Sequence, residues 1–189
     1  MIKLSKARAI VEMPETAEVL RKYMYIFGTL YNTDASDDYT FQTAFCDFYS
    51  LLKDFPESYK TKFFKYVEEL KESSDVIFLD AIQNLHKIDN RYDMAAASIL
   101  ISCVNPRYPV WNKAIVEKYF GIVEPPAEEA SAEKCSKLYE EFNDKLYVYM
   151  NSPEGEELIK IFDTKFPSAE ITNVNKVAIL IWQDQLYGN

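Results

Sequence analysis

The helical spacing of apolar side chains is the feature that most constrains how this chain can fold. Apolar residues recur every three to four positions along most of the 189 residues, and this spacing places them on one face of an α-helix. No segment shows the sustained two-residue alternation of a half-buried strand, and no internal repeat is visible. We therefore predict an all-α protein of about nine helices.

Glycine is scarce, and this supports the same prediction. The chain has only 4 glycines, and no two of them lie close together. Tight β-hairpins need residues with positive φ, which glycine supplies best. A Gly-rich phosphate-binding loop is also missing. We expect neither hairpin-built sheets nor a nucleotide cofactor.

Individual helices can be predicted from local signals. Ser36 is the expected N-cap of a helix within residues 36–53, and Ser73 or Ser74 is the expected N-cap of a helix in "DVIFLDAIQNLHKI". The first of these helices places a largely aromatic set on one face: Phe41, Phe45, Phe48, Tyr49 and Leu52. The segment "YDMAAASILISCVN" is nearly all apolar or small, so we predict a central buried helix that ends before Pro106.

The remaining helices are expected near residues 15–30, 56–71, 111–120, 132–150, 153–166 and 173–186. Gly121 would end the short helix of residues 111–120 in a left-handed conformation. A Pro-containing linker is expected near residues 122–132. We predict that residues 1–189 form a single domain.

The residues that commonly hold metals are few and scattered. The 3 cysteines lie far apart and no CxxC pair occurs, so buried free thiols are expected. His86 is the only histidine, and we expect it at a surface helix end. We predict no metal site and no cofactor.

Targeting and membrane signals are not recognisable in the sequence. The N-terminal stretch lacks the apolar core of a signal peptide, and no apolar run approaches the ~20 residues of a membrane span. We expect a cytoplasmic protein without membrane contact. Its net charge of −9 repels nucleic-acid phosphates, so binding to nucleic acid should be weak.

Two segments carry a family resemblance. They are "NPRYPVWNKAIVEKYFGI" (residues 105–122), after the predicted buried helix, and "NKVAILIW" (residues 175–182), in the last predicted helix. An apolar helix, a proline-bearing turn and a short helix ending in Gly resemble the helix-hairpin-helix DNA glycosylase superfamily. A bacterial branch of uncharacterised proteins with an 8-oxoguanine DNA glycosylase-like fold is more similar still. The resemblance implies that fold, over about half of the chain and in patches.

The chain departs from that family where the chemistry takes place. The resemblance implies an Asp at position 112, which in the family stabilises the cationic sugar and helps to activate the nucleophile. This chain has Asn112, whose amide carries no charge. The region matching the family's Lys nucleophile, "DNRYDMAAAS", contains no Lys, and Lys87 lies upstream of it. The Gly-rich DNA-anchoring hairpin is not recognisable either, because no glycine lies between Gly28 and Gly121.

Position 112 fits two roles that the sequence alone does not separate. Asn112 precedes an amphipathic helix, so it can be the N-cap, with Trp111 packing on Ile115. It can also line a binding pocket. Trp111, Asn112, Lys113 and Lys118 are therefore the candidate binding residues, and the two lysines would be the phosphate contacts if DNA binds.

We expect a glycosylase-like protein without catalytic activity that has a binding or structural role. Two alternatives stay open. One is a DNA base-excision glycosylase with a rearranged active site, in which Asp89, Asp93 or Asp144 supplies the acid. The other is a protein-interaction module that uses its acidic C-terminal half to meet a basic partner.

Overall fold

The computed structural model describes residues 2–73 and 76–187, and within these ranges it contains helices and no strand. The all-α prediction is confirmed there. Ten α-helices are described: α1 (Leu4–Val11), α2 (Pro14–Leu30), α3 (Tyr39–Phe48), α4 (Glu57–Leu70), α5 (Phe78–Asp89), α6 (Met94–Val104), α7 (Lys113–Ile115), α8 (Ala132–Met150), α9 (Pro153–Lys165) and α10 (Asn173–Tyr187). A π-helical turn (Val116–Phe120) continues α7, and we call residues 113–120 together the motif helix.

Helix α1 is the one that the sequence pattern did not predict. It has only 8 residues, and its N-cap residue Lys3 makes no side-chain hydrogen bond to the first turn. The usual marker of a helix start is therefore missing. Ala7, Ile10 and Val11 are buried, and α1 packs against α9 and α10. Tertiary packing stabilises this helix more than its local sequence does.

The predicted N-cap of α3 is wrong, and its predicted apolar face is buried in part: Phe48 and Tyr49 are only half-buried, and the side chain of Leu52 lies outside the described residues. Asp38 caps α3, because its Oδ1 accepts a hydrogen bond from the N–H of Phe41 at 2.9 Å. The predicted cap, Ser36, instead donates its hydroxyl to Asp34 Oδ1 at 2.6 Å. Phe41 and Phe45 are fully buried, as the apolar spacing predicted.

Ser73, one of the two predicted N-caps of α5, does not cap this helix. The helix begins at Phe78 with Ile77 in the N-cap position, which has no side chain able to cap. Ser73 ends the preceding turn, its N–H bonded to the Leu70 carbonyl. Ser74 lies outside the described residues. Burial of Phe78 against Tyr139, with stacked rings 4.1 Å apart, fixes the start of α5 instead.

Helix α6 is the predicted central helix. Almost all of its residues are buried, and α4 and α5 pack against it. Asp93 caps its start by accepting from the N–H of Ala96 at 2.8 Å. It ends at Val104, two residues before Pro106, which has no N–H to continue the helix.

The last turn of α5 contains His86, the only histidine of the chain. Asn90 ends α5 in the left-handed conformation with φ of 59°, a conformation that Asn adopts more readily than most residues. His86 is half-buried and stacks on Tyr92, with ring centroids 4.0 Å apart. His86 thus lies at a helix end, as expected, and is partly covered because Tyr92 stacks on one face of the imidazole.

The C-terminal helices lie close to their predicted bounds. Ser131 caps α8 and Ser152 caps α9, each accepting a backbone N–H bond at 3.2 Å. Gly155 lies where α9 meets the end of α8. A Cβ at this position would approach the backbone oxygen of Tyr149 and lie 2.8 Å from Met150 Cα. Only glycine allows the two helices to come this close.

Candidate functional site

The segment between α6 and the motif helix is held in place by hydrogen bonds to two neighbouring helices. The N–H of Trp111 donates to Ser98 Oγ on α6 at 2.7 Å. The hydroxyl of Tyr139 on α8 donates to the Pro109 carbonyl at 2.7 Å. These bonds satisfy backbone groups that a short proline-bearing turn cannot pair within itself.

Trp111 anchors this segment in the core. Its side chain is only 1% exposed, and its ring meets Phe142 edge to face at 5.5 Å. Its Nε1–H donates to the carboxylate of Glu124. Glu124 lies in the predicted linker of residues 122–132, so this part of the linker contacts the core. Trp111 is thus a buried residue whose ring packs on Phe142 and whose indole N–H is satisfied by Glu124. Its expected packing on Ile115 stays a prediction.

Asn112 is an N-cap, as one of its two predicted roles required. Its Oδ1 accepts a hydrogen bond from the N–H of Ile115 at 3.2 Å. The helix begins at Lys113 and ends at Gly121, whose φ of 68° confirms the predicted left-handed termination. Asn112 is also exposed and lines a pocket. The two roles are therefore compatible.

The pocket has a volume of about 480 Å³ and is partly open to solvent. This volume is typical of small-molecule sites. We call it the aromatic pocket. Its described lining residues are Tyr23, Phe48, Tyr49, Ser50, Ala95, Ile99, Val110, Trp111, Asn112, Lys113, Ala114, Ile115, Asn175, Ala178, Ile179 and Trp182.

The two segments that carry the family resemblance meet at this pocket. The first supplies residues 110–115, and the second supplies Asn175, Ala178, Ile179 and Trp182. A direct bond joins them, because Asn175 Nδ2 donates to the Pro106 carbonyl at 2.8 Å. The sequence separation of about 70 residues is closed by packing of α10 against the motif helix.

Aromatic rings from three helices form much of the wall. Phe48 meets Trp182 at 6.0 Å and Tyr23 at 6.2 Å, both edge to face. Burial raises the pKa of Tyr49 well above its usual range, and it raises the pKa of Tyr23 as well. Both hydroxyls are therefore neutral at physiological pH and can act only as uncharged hydrogen-bonding groups.

The charged candidates separate into two groups. Lys113 lines the aromatic pocket, and its Nζ lies 3.6 Å from Glu124 Oε2. Lys118 does not line it. Its Nζ donates to Gln185 Oε1 at 2.9 Å and lies 4.9 Å from the centre of the Tyr119 ring. The structure therefore brings together Trp111, Asn112 and Lys113 but leaves Lys118 outside.

No carboxylate belongs to the described lining of the pocket. The three candidates for the acid of a rearranged active site lie elsewhere. Asp89 pairs with Arg91 at 2.6 Å, Asp93 caps α6, and Asp144 is exposed on α8. The alternative of a rearranged active site therefore lacks an acid at this pocket.

A buried acid lies instead at the far end of α10. Asp184 is only 5% exposed and pairs with Lys6 of α1 at 2.8 Å. It also accepts a hydrogen bond from the Tyr119 hydroxyl. Burial opposes ionisation of Asp184, but the bonds from Lys6 and Tyr119 outweigh it and hold its pKa below the usual range. This network joins α10 to α1 and to the motif helix.

Comparison with protein-family models, curated proteins and solved structures finds no match to this chain. The all-α class rests on the structure, while the likeness to the glycosylase superfamily remains a prediction from the quoted motifs. Within residues 2–73 and 76–187, no helix is long and apolar enough to cross a membrane. The same ranges hold no cluster of three or more potential metal ligands.

Sequence reasoning missed most of the pocket wall. Tyr23, Phe48 and Tyr49 come from α2 and the end of α3, far from either motif in the sequence. Their aromatic character was visible, but it also suits core packing. The partial exposure of Phe48 and Tyr49, which distinguishes a pocket wall from a core, appears only in the structure.

Proposed function

We propose that this protein is a non-catalytic binding protein that holds a small, largely apolar molecule in the aromatic pocket. The single observation that carries the proposal is the composition of the lining. Aromatic and aliphatic side chains predominate, a few polar groups from Ser50, Asn112, Lys113 and Asn175 join them, and no described carboxylate lines the pocket. Apolar walls with a few placed polar groups are typical of ligand sites.

The position of Asn112 supports a binding role over catalysis. Position 112 is where the resemblance implies a catalytic Asp, and Asn112 lines the same pocket as the second motif. An amide can hold a ligand by hydrogen bonds, but it cannot stabilise a developing cation by charge or accept a proton usefully. The neutral tyrosine hydroxyls do not replace that acid. We retain the glycosylase-like fold as part of this proposal, supported by the convergence of the two motifs.

Binding can be tested with N-phenyl-1-naphthylamine, an uncharged dye that fluoresces in apolar surroundings. We expect saturable fluorescence enhancement by the wild-type protein. Ala178→Phe should abolish it, because Ala178 lines the pocket on α10 and a phenyl ring would fill the space. Ala17→Phe is the matched control, since Ala17 is exposed on α2 outside the pocket. Equal enhancement by Ala178→Phe and Ala17→Phe would contradict binding in this pocket.

The absence of catalysis needs its own test. Duplexes with oxidised, alkylated or deaminated bases should stay intact with the wild-type protein and with Asn112→Ala. Asn112→Asp restores the acid that the resemblance implies, so it is the variant in which excision would emerge if the fold is that of a glycosylase. Excision by the wild-type protein would sink the non-catalytic proposal, whatever the dye experiment gives.

A further inference from the structure

We infer that the ligand of the aromatic pocket is a small aromatic carboxylate, whose acid group is received by Lys113 and Asn112 at the pocket mouth. This inference rests on the proposed binding function and adds the charge of the ligand to it. It is carried by the placement of one cation and one free amide donor beside the aromatic walls.

The charge argument starts from Lys113. Within the described lining it is the only charged residue. Its side chain is 64% exposed, so the ammonium group is accessible from solvent. Its distance of 3.6 Å from Glu124 Oε2 exceeds that of a short charge-assisted hydrogen bond. The ammonium group can therefore turn to a ligand anion with little loss of existing contacts.

Asn112 supplies a second donor next to this cation. Its Oδ1 is used by the N–H of Ile115, which leaves Nδ2 as the end of the amide that can donate to a ligand. The other amide of the lining is oriented differently. Asn175 Nδ2 donates to the Pro106 carbonyl and to Thr172 Oγ1, so this amide has no N–H left to donate to an anion in the way that Asn112 can. Donors suited to an anion are thus concentrated at positions 112 and 113.

The rest of the ligand is defined by the walls. Phe48, Trp182, Tyr23 and Tyr49 offer ring edges and faces, against which a planar aromatic group packs with favourable offset or edge-to-face geometry. A volume of about 480 Å³ holds one or two fused rings with an acid substituent. A larger anion, such as a nucleic-acid strand, finds only one described lining cation here.

The test compares 2-naphthoate with 2-naphthamide, which share the same ring system and differ in charge, by isothermal titration calorimetry. We expect the wild-type protein to bind naphthoate several-fold more tightly. Lys113→Gln should weaken the binding of naphthoate by roughly three- to fivefold, the size expected for an exposed ion pair. The affinity for naphthamide should not change. Lys118→Gln is the matched control on the same helix and should change neither. Added NaCl should weaken naphthoate alone.

Glu124→Gln provides a second, opposite test. Removing this competing negative charge should tighten naphthoate binding, while the Gln side-chain oxygen can still accept the Trp111 Nε1–H bond. Equal affinity of the wild-type protein for naphthoate and naphthamide would overturn the inference but leave the proposed binding function standing. An equal loss of naphthoate affinity in Lys113→Gln and Lys118→Gln would also overturn the inference and leave the proposed binding function standing. If neither compound nor the uncharged dye binds, the proposed function itself fails.

Discussion

The N-cap of the motif helix allows a quantitative prediction for Asn112→Ala. The substitution removes one hydrogen bond, from the N–H of Ile115 to Oδ1, and exposes no buried surface because Asn112 is exposed. Cap removal costs roughly 0.5–2 kcal/mol in proteins. The bond is 3.2 Å long, at the long end of the usual range. We therefore expect a loss of about 0.5–1 kcal/mol, or roughly 1–4 °C in Tm for a chain of this size.

Asn112→Asp should behave differently from Asn112→Ala. The carboxylate keeps the acceptor and adds a negative charge at the helix N-terminus, which is worth ~0.3–1 kcal/mol. Glu124 pairs with the neighbouring residue, Lys113, and its negative charge repels the new carboxylate, which offsets part of this gain. We expect the free energy of unfolding to be unchanged or slightly raised.

Urea denaturation followed by circular dichroism measures both variants. Ser131→Ala is the matched control, because Ser131 caps α8 through a bond of the same 3.2 Å length, away from the pocket. A loss in Ser131→Ala without one in Asn112→Ala would refute the capping argument. A loss of more than about 1 kcal/mol in Asn112→Asp would refute the helix-dipole argument.

Three further predictions concern packing, pH and nucleic acid. Gly155→Ala should cost at least about 1–3 kcal/mol, because its Cβ would lie 2.8 Å from Met150 Cα. Gly28→Ala is the control inside α2, because a Cβ at this position would have nothing within 4 Å, and it should stabilise the protein by roughly 0.5–1 kcal/mol. Equal changes of Tm in Gly155→Ala and Gly28→Ala would contradict the packing argument. The lowered pKa of Asp184 means that its contribution is present above the unfolded pKa of about 3.9 and is lost as pH falls through the lower folded value. Asp184→Asn should therefore lower stability at pH 7 and flatten the fall in stability as the pH drops below about 4. If the free energy of unfolding, measured by urea denaturation at several pH values, falls as steeply in Asp184→Asn as in the wild-type protein, this account of Asp184 is wrong. Binding to duplex DNA at near-physiological salt should give a Kd above about 1 µM in fluorescence anisotropy, and a submicromolar Kd would contradict the expectation from the net charge of −9.

The sequence predicted those helices whose ends carry their own signals. Helices α8 and α9 begin after Ser131 and Ser152, which cap them, and α6 ends before Pro106. Prediction was wrong where several polar residues compete for one cap, as with Ser36 and Asp38. It missed α1, where no side chain marks the start. Local chemistry defines the first group, while long-range packing decides the others.

The candidate site was predictable in part for the same reason. Trp111, Asn112 and Lys113 could be chosen because they adjoin a motif, and they do line one pocket. Lys118 could not be separated from Lys113 by sequence. Which of the two lysines reaches the pocket depends on the rotation of the motif helix against α10. The organisation of residues 1–189 as one domain stays a prediction.

Helix α10 is attached to residues 105–122 at two points, one near each of its ends. Near its start, Asn175 donates to the Pro106 carbonyl. Near its end, Asp184 accepts from the Tyr119 hydroxyl. Ala178, Ile179 and Trp182 lie between these attachments. A wall fixed at both ends needs little ordering when a ligand arrives, so the pocket should select molecules by their fit to an existing shape and lose little conformational entropy on binding.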